Sequence, residues 1–375
     1  MSTNQPERPL YVMLKPAGAA CNLACTYCYY IEKGQLYPHH SQCELSDELL
    51  EHFTQQYLNT PGRQPVLFTW HGGEPLLRDI TFYKKALEYQ QQYAQGRPIA
   101  NTLQTNGTLL TEDWCRFFKK HNFLIGISID GLQSLHDIHR KRKDGSGSFE
   151  QVLQGVRLLQ KYDVSYNIMA VVHRNNGDYP IEFYRFFKEL GARHIQFAPI
   201  VERTPDGEIT PWSVQPEQWG NFLIAIFQEW IKADVGQYFI SYFDAALANW
   251  VGVPSGMCLF SEQCGHAGVM EFNGDIYSCD HFVYPEYKLG NLNENSLTNI
   301  MSSPQQVAFG QVKSILSLQC QSCQYLFACR GECPKNRFIP TQDGIPQNYL
   351  CAGYYKFFQY IAPYMEEMRR GIVGS

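Results

Sequence analysis

Long hydrophobic runs are missing from this sequence. No stretch approaches the ~18 uninterrupted apolar residues of a membrane-spanning helix, so no membrane partner is expected. An excess of one charge is missing too. The 31 Lys and Arg stand against 36 Asp and Glu, a formal net charge of −5 over 375 residues. That balance gives no electrostatic footprint for nucleic acid or an anionic surface. The one basic run, His139-Arg140-Lys141-Arg142-Lys143, leads into Asp144-Gly145-Ser146-Gly147 and reads as a solvated loop. Met1 to Pro9 lacks the apolar centre of a signal peptide, so a cytoplasmic protein is expected. Against these absences stand 13 cysteines. Because the cytosol keeps ordinary thiols reduced, cysteines at short fixed spacings there point to metal rather than to disulfides.

Chain length leaves room for two domains. Apolar runs at Leu10–Leu14, Val66–Trp70, Ala100–Gln104, Leu124–Ile129, Tyr166–Val172 and His194–Pro199 read as strands. Amphipathic stretches between them, Asp47–Leu58, Thr81–Tyr93, Glu112–Lys120, Phe149–Tyr162 and Ile181–Leu190, read as helices. Ser46 and Thr111 are suited to N-caps, and Gly191 to a C-cap. Six repeats of strand then helix imply parallel strands with right-handed crossovers. The expected class is α/β, a partial (β/α)6 barrel over residues 1–235; an open doubly wound sheet is the alternative. In either, sites form at the C-terminal ends of strands. Beyond residue 235 the rhythm breaks, helices look sparse, and a hairpin is expected at Val269–Phe272 and Asp275–Ser278 around Asn273-Gly274. Residues 236–375 therefore read as a smaller cysteine-rich domain held together more by metal than by a large core.

Cys21-Asn-Leu-Ala-Cys25-Thr-Tyr-Cys28 follows the first strand directly. Three thiolates in so short a loop suit three corners of a four-iron cluster, leaving one iron open to a substrate. Structural zinc or spare thiols are the alternatives, and zinc favours four closed ligands at other spacings. Eight further cysteines lie downstream: Cys258, Cys264, Cys279, Cys320, Cys323, Cys329, Cys333 and Cys351. Eight thiolates divide into two fully ligated four-iron clusters, with two zinc tetrads as the alternative. Cys43 and Cys115 remain as unmodified thiols.

The C-x3-C-x2-C loop after the first strand, with Trp70-His71-Gly72-Gly73-Glu74-Pro75 ending the second, resembles the radical S-adenosylmethionine superfamily. The resemblance implies that Cys21, Cys25 and Cys28 hold a [4Fe-4S] cluster that binds S-adenosylmethionine and generates a 5′-deoxyadenosyl radical. By motif position it implies contacts to S-adenosylmethionine from Tyr27, Gly73, Ser128, Arg140 and Val201. The downstream cysteines resemble the SPASM extension. That likeness implies one auxiliary cluster on Cys258, Cys264, Cys279 and Cys333, and another on Cys320, Cys323, Cys329 and Cys351. Cys329-Arg-Gly-Glu-Cys333 departs from the commoner C-x-G-G-C form, Glu332 replacing a glycine with the spacing kept.

Lys15-Pro16-x-Gly18, Tyr29-Tyr30, Leu103-Gln104-Thr105-Asn106-Gly107-Thr108 and Tyr277-Ser-Cys279-Asp280 are similar to the anaerobic sulfatase-maturating enzymes. Membership would imply oxidation of a cysteine or serine in a sulfatase's Cys/Ser-x-Pro-x-Arg motif to formylglycine, with electrons from a donor such as a flavodoxin or ferredoxin. It would make Asp280 the acceptor of the substrate's thiol or hydroxyl proton. The competing readings are a radical enzyme forging thioether or carbon–carbon crosslinks in peptides, and a non-catalytic iron–sulfur electron carrier. His71 is expected either to touch the peptide or to orient its loop, and His136 and His139 to be ordinary polar positions.

Overall fold

Helices begin where the side chains cap them. In this computed structural model, which describes residues 10–38, 43–60, 65–265 and 267–373, Ser46 Oγ accepts the Leu49 N–H at 3.2 Å and Thr111 Oγ1 accepts that of Trp114 at 3.4 Å. Gly191, at φ +77°, closes the helix before it. The order is β1 (Tyr11–Leu14), α1 (Asp47–Leu58), β2 (Val66–Trp70), α2 (Ile80–Tyr93), β3 (Ile99–Thr105), α3 (Glu112–Lys120), β4 (Leu124–Ser128), α4 (Gln133–His139), α5 (Phe149–Lys161), β5 (Tyr166–Val172), α6 (Pro180–Glu189), β6 (His194–Pro199) and α7 (Pro216–Ala233). Every expected strand and helix of this region is present.

The chain forms two compact units that do not follow its order. One comprises the residues up to Ile127 with Arg140–Tyr166 and Gly265–Gly310; the other comprises Ser128–His139, Asn167–Cys264 and Gln311 onward. The expected boundary at residue 235 falls in the turn between α7 and a short strand, β7 (Phe239–Ile240).

In the first unit β1 is flanked on both sides by parallel partners. Met13 faces Thr69 of β2 and Val269 of β8 (Ala267–Met270). β3 and β4 extend the sheet beyond β2. β8 turns at Asn273-Gly274, with Gly274 at φ +89°, into antiparallel β9 (Asp275–Tyr277), which pairs with β10 (Lys288–Asn291). The hairpin expected there has formed. Because β8 runs parallel beside β1, the turn from β8 into β9 lies at the C-terminal end of β1, where Lys15 N–H donates to Met270 O at 3.0 Å.

The second unit carries β5, β6 and β7, parallel in that order. It also overturns one expectation, that helices are sparse beyond residue 235. Ser241–Trp250 is helical, and Cys351–Val373 is a 23-residue helix packed along α7. Its run of Tyr, Phe and Met on several faces, interrupted by Pro363, hides the helical period. Trp219, Phe222 and Phe227 of α7 and Tyr354, Phe357 and Phe358 of the long helix are all buried, an aromatic core in its own right. The two helices meet at glycines. A Cβ on Gly353 would stand 2.0 Å from Pro216 O, and one on Gly220 2.6 Å from Gly353 O.

Candidate active site and cluster ligands

The first cysteine loop is a chain of short turns leaving β1. Gly18 N–H donates to Lys15 O, Ala20 N–H to Ala17 O and Cys28 N–H to Cys25 O, all at 3.0–3.1 Å. Cys21 Sγ accepts the Leu23 N–H at 3.4 Å and Asn106 Nδ2 at 3.7 Å. Asn106 Nδ2 also reaches Asn22 Oδ1, and Asn22 Nδ2 reaches Thr108 Oγ1, each at 2.8 Å. The Leu103–Thr108 segment thus ties the loop to the end of β3.

Gly73 sits under this loop. Its N–H donates to Gly18 O at 2.8 Å, and a Cβ would stand 2.0 Å from Ala20 O, so only glycine fits. Glu74 is a buried clamp that sequence reasoning left without a role. Its Oε1 accepts the Leu76 N–H at 2.9 Å and Thr105 Oγ1 at 2.8 Å, and its Oε2 the Asn106 N–H at 2.8 Å. Burial pushes its carboxyl up to about 7 against those bonds.

Arg140 and the basic run depart from the solvated-loop expectation. His139 and Arg140 are buried, the Arg140 guanidinium lies 5.6 Å over the Tyr27 ring, and Lys141 O accepts the Ala24 N–H at 2.7 Å. Arg142 and Lys143 do face solvent. Lys141 thus backs the cysteine loop and Arg140 lies against its Tyr27, whereas His139 is held within the second unit. Tyr27, Gly73 and Arg140 belong to the first unit, Ser128 and Val201 to the second. Ser128 ends β4, and Val201 is buried just past β6 with its carbonyl accepting Lys335 Nζ at 3.0 Å. His136 and His139 are likewise buried. His136 Nδ1 accepts the Asp130 N–H at 3.2 Å and His139 Nε2 bonds Asn175 Oδ1 at 3.0 Å.

Asp280, directly after Cys279, meets the end of β1. Its Oδ1 is ion-paired with Lys15 Nζ, and its Oδ2 accepts the Tyr29 hydroxyl. Lys15 is fully buried, 3.2 Å from His71 Nδ1 and 4.1 Å over the Tyr30 ring. The Tyr30 hydroxyl in turn donates to Glu271 of the β8–β9 turn. Burial pushes the Asp280 carboxyl up, but the groups facing it, Lys15 foremost with His71 and His281, together outweigh burial and hold the carboxyl well below the usual carboxylate range. Burial, then Lys15, lowers His71 to about 3, so its ring is neutral. Gly72 N–H donates to His71 Nδ1 at 2.7 Å, which makes that nitrogen the acceptor. Burial first, and the carboxylates second, push both tyrosines up, so they remain donors. Sequence reasoning found Asp280 but gave no role to Lys15 or Glu271. The available signal was a lysine ending an otherwise apolar strand.

Four of the later cysteines gather round one cavity. A cavity of about 270 Å³ in the second unit is lined by Cys320, Cys323, Cys329 and Cys351 together, with Gln347 and Tyr355. Burial raises the Cys351 thiol to about 11, with Cys320 adding to the rise. Of the other four, Cys258, Cys264 and Cys333 belong to the second unit and Cys279 to the first. Lys313, buried, donates to Leu259 O at 2.8 Å and to Cys258 O. Glu332 takes φ +54°, a conformation that favours glycine, and Asn348 and Asn336 hold its buried carboxylate. None of the 13 cysteines is in a disulfide. No three ligating groups among the described residues converge on a single ion, and thiolates on separate irons of a cluster need not. The chemistry of this donor set, thiols at short spacings and four of them around one cavity, fits iron–sulfur clusters.

Strand ends, cysteine loop and Gly-Gly edge together define a radical S-adenosylmethionine fold, and residues 16–187 match the Radical SAM superfamily. Residues 263–324 match the SPASM iron–sulfur cluster-binding domain. The fold class is therefore α/β, a partial (β/α)6 barrel followed by a cysteine-rich iron–sulfur domain. A serine-type anaerobic sulfatase-maturating enzyme of Bacteroides thetaiotaomicron is 55% identical, the alignment covering 98% of this chain and 93% of that one. A cysteine-type enzyme of Clostridium novyi is 32% identical over 94% and 95%. The solved structure of native anSMEcpe with bound AdoMet and Cp18Cys peptide superposes with a TM-score of 0.88 at 29% identity, over 97% of this chain and 99% of that one. The chain belongs to the anaerobic sulfatase-maturating enzymes, which are radical S-adenosylmethionine enzymes.

Proposed function

We propose that this chain oxidises a serine or cysteine of a sulfatase polypeptide to Cα-formylglycine. The carrying observation is the Asp280 carboxylate, ionised and mostly buried at the end of the strand from which the first cysteine loop departs. Converting a CH2OH side chain to an aldehyde removes one hydrogen atom, one proton and one electron. When bound, S-adenosylmethionine and the iron–sulfur clusters supply the radical that takes the hydrogen atom and accept the departing electron. Asp280 receives the hydroxyl or thiol proton, for which an ionised carboxylate within hydrogen-bond reach is required. With a thiol the product is a thioaldehyde, which water hydrolyses to the aldehyde with release of hydrogen sulfide.

Cys21, Cys25 and Cys28 would hold the cluster that binds S-adenosylmethionine, assisted by Tyr27, Gly73, Ser128, Arg140 and Val201. The two downstream tetrads would hold auxiliary clusters, three [4Fe-4S] in all, the cavity at Cys320, Cys323, Cys329 and Cys351 supporting one of them. We assign the barrel to residues 1–235 and the cluster domain to 236–375. The substrate motif would be Cys/Ser-x-Pro-x-Arg and the donor a flavodoxin or ferredoxin, in the cytoplasm; no described helix is long and apolar enough to cross a membrane. Serine is the better-supported target, since a serine-type relative shares 55% of residues and a cysteine-type relative 32%.

The test pairs Ser-x-Pro-x-Arg and Cys-x-Pro-x-Arg peptides with the anaerobically reconstituted enzyme, S-adenosylmethionine and reductant, trapping aldehyde with a hydrazine. Aldehyde on the serine peptide at the faster rate is expected. Cleavage of S-adenosylmethionine with both peptides unaltered would move the substrate elsewhere and favour peptide crosslinking.

A further inference from the structure

Lys15 is an unusual place to put a charge. It continues an apolar strand, Tyr-Val-Met-Leu, into a site where its side chain is fully buried, and a lysine pays heavily for leaving water unless its ammonium is paired. Its three donors find a definite set of partners: Asp280 Oδ1, His71 Nδ1 at 3.2 Å, and the Tyr30 ring face at 4.1 Å. Each partner is itself held. His71 Nδ1 accepts the Gly72 N–H, and the Tyr30 hydroxyl is anchored on Glu271. Asp280 is therefore gripped from two sides, Lys15 on Oδ1 and Tyr29 on Oδ2. A carboxylate offers about four lone-pair directions, so a hydrogen bond to one oxygen and an ion pair at the other fix its plane and leave acceptor positions open, Oδ1 having no hydrogen-bond donor of its own among the described residues.

We propose that Lys15 is the positioning residue of the proton-transfer step, setting the orientation of the Asp280 carboxylate through a buried ion pair that His71 and Tyr30 keep in place. This rests on Asp280 being the proton acceptor, and it separates Lys15 from the groups that generate the radical. Loosening Lys15 leaves the substrate radical formed but its hydroxyl proton poorly accepted. The hydrogen atom lost from the target carbon still appears in 5′-deoxyadenosine. The substrate radical, its hydroxyl proton and odd electron not removed, takes up an electron from the assay's reductant and a proton from solvent and returns to the alcohol instead of the aldehyde.

The experiment supplies a Ser-x-Pro-x-Arg peptide with two deuterons on the target carbon, and counts trapped aldehyde against deuterated 5′-deoxyadenosine. For Lys15→Met the aldehyde formed per deuterated 5′-deoxyadenosine should fall by ~10- to 100-fold, in the range a general base contributes. Lys15→Arg, which keeps the charge, should recover part of that ratio. Removing one partner of a buried pair is destabilising, so iron content and the cluster's visible spectrum are measured alongside. Should Lys15→Met lose its iron, His71→Asn, which disturbs the hold on Nζ and keeps both charges, reads the same ratio and should lower it severalfold. An unchanged ratio in a folded, iron-replete variant overturns the proposal, as does a parallel fall of both products. A wild-type enzyme that deuterates 5′-deoxyadenosine and makes no aldehyde overturns instead the assignment of formylglycine synthesis.

Discussion

The polar knot at the end of β1 and the aromatic seam between α7 and the C-terminal helix show two ways of fixing a structure. In the knot, Lys15, Asp280, Tyr29, Tyr30, His71 and Glu271 are joined by an ion pair and hydrogen bonds with little solvent access. In the seam, Trp219, Phe222, Tyr354 and Phe358 pack by shape, and two glycines let the backbones approach. Directional bonds specify where an oxygen stands, whereas packing specifies only that a helix stays put. Chemistry that moves a proton needs the first kind, and a frame for the cavity lined by Cys320, Cys323, Cys329 and Cys351 is served by the second.

That contrast can be broken by substitution. The largest effect is expected for Cys25→Ala, which should abolish formation of 5′-deoxyadenosine with little change in melting temperature. A melting transition lowered as far as by a core substitution would make the loop part of the frame. Next comes the pair of glycines at which an added Cβ would stand 2.0 Å from a carbonyl oxygen. Gly353→Val should cost ~3 kcal/mol or more by overpacking, read as a lowered melting temperature, whereas Gly73→Ala should chiefly weaken S-adenosylmethionine cleavage. If both variants merely melt early, the two regions are not distinct in kind.

Cys320→Ala should lower the iron content of reconstituted protein by about a third, with S-adenosylmethionine cleavage largely kept; full iron content would remove that tetrad from the cluster assignment. The smallest effect is expected for Thr111→Ala, which loses the cap on the Trp114 N–H and should cost ~1 kcal/mol with no change in product ratio.

The knot and the seam also differ in how far the sequence announced them. Cysteine spacing revealed the cluster loop, and alternating patterns with Ser46 and Thr111 revealed the barrel's elements, because caps and periodicity are local. Asp280 was legible only through its neighbour Cys279 and the family pattern. Its partner Lys15 lies 265 residues away, brought beside it when β8 pairs with β1, and no local rule reports such a pairing. The C-terminal helix was missed for a different reason: aromatic residues on several faces blur a period that tertiary packing then enforces. The inward fold of Arg140 was hidden because its run looks like an exposed loop until the Ala24 bond to Lys141 draws it under the cysteine loop.

The central claim is that Asp280 takes the substrate proton after the hydrogen atom has left. Asp280→Asn keeps the shape of the side chain and removes the acceptor charge. With the deuterated serine peptide, the account predicts that aldehyde per deuterated 5′-deoxyadenosine falls by ~100-fold or more while deuterium transfer continues. Aldehyde formed at the wild-type ratio by an iron-replete Asp280→Asn enzyme would contradict it.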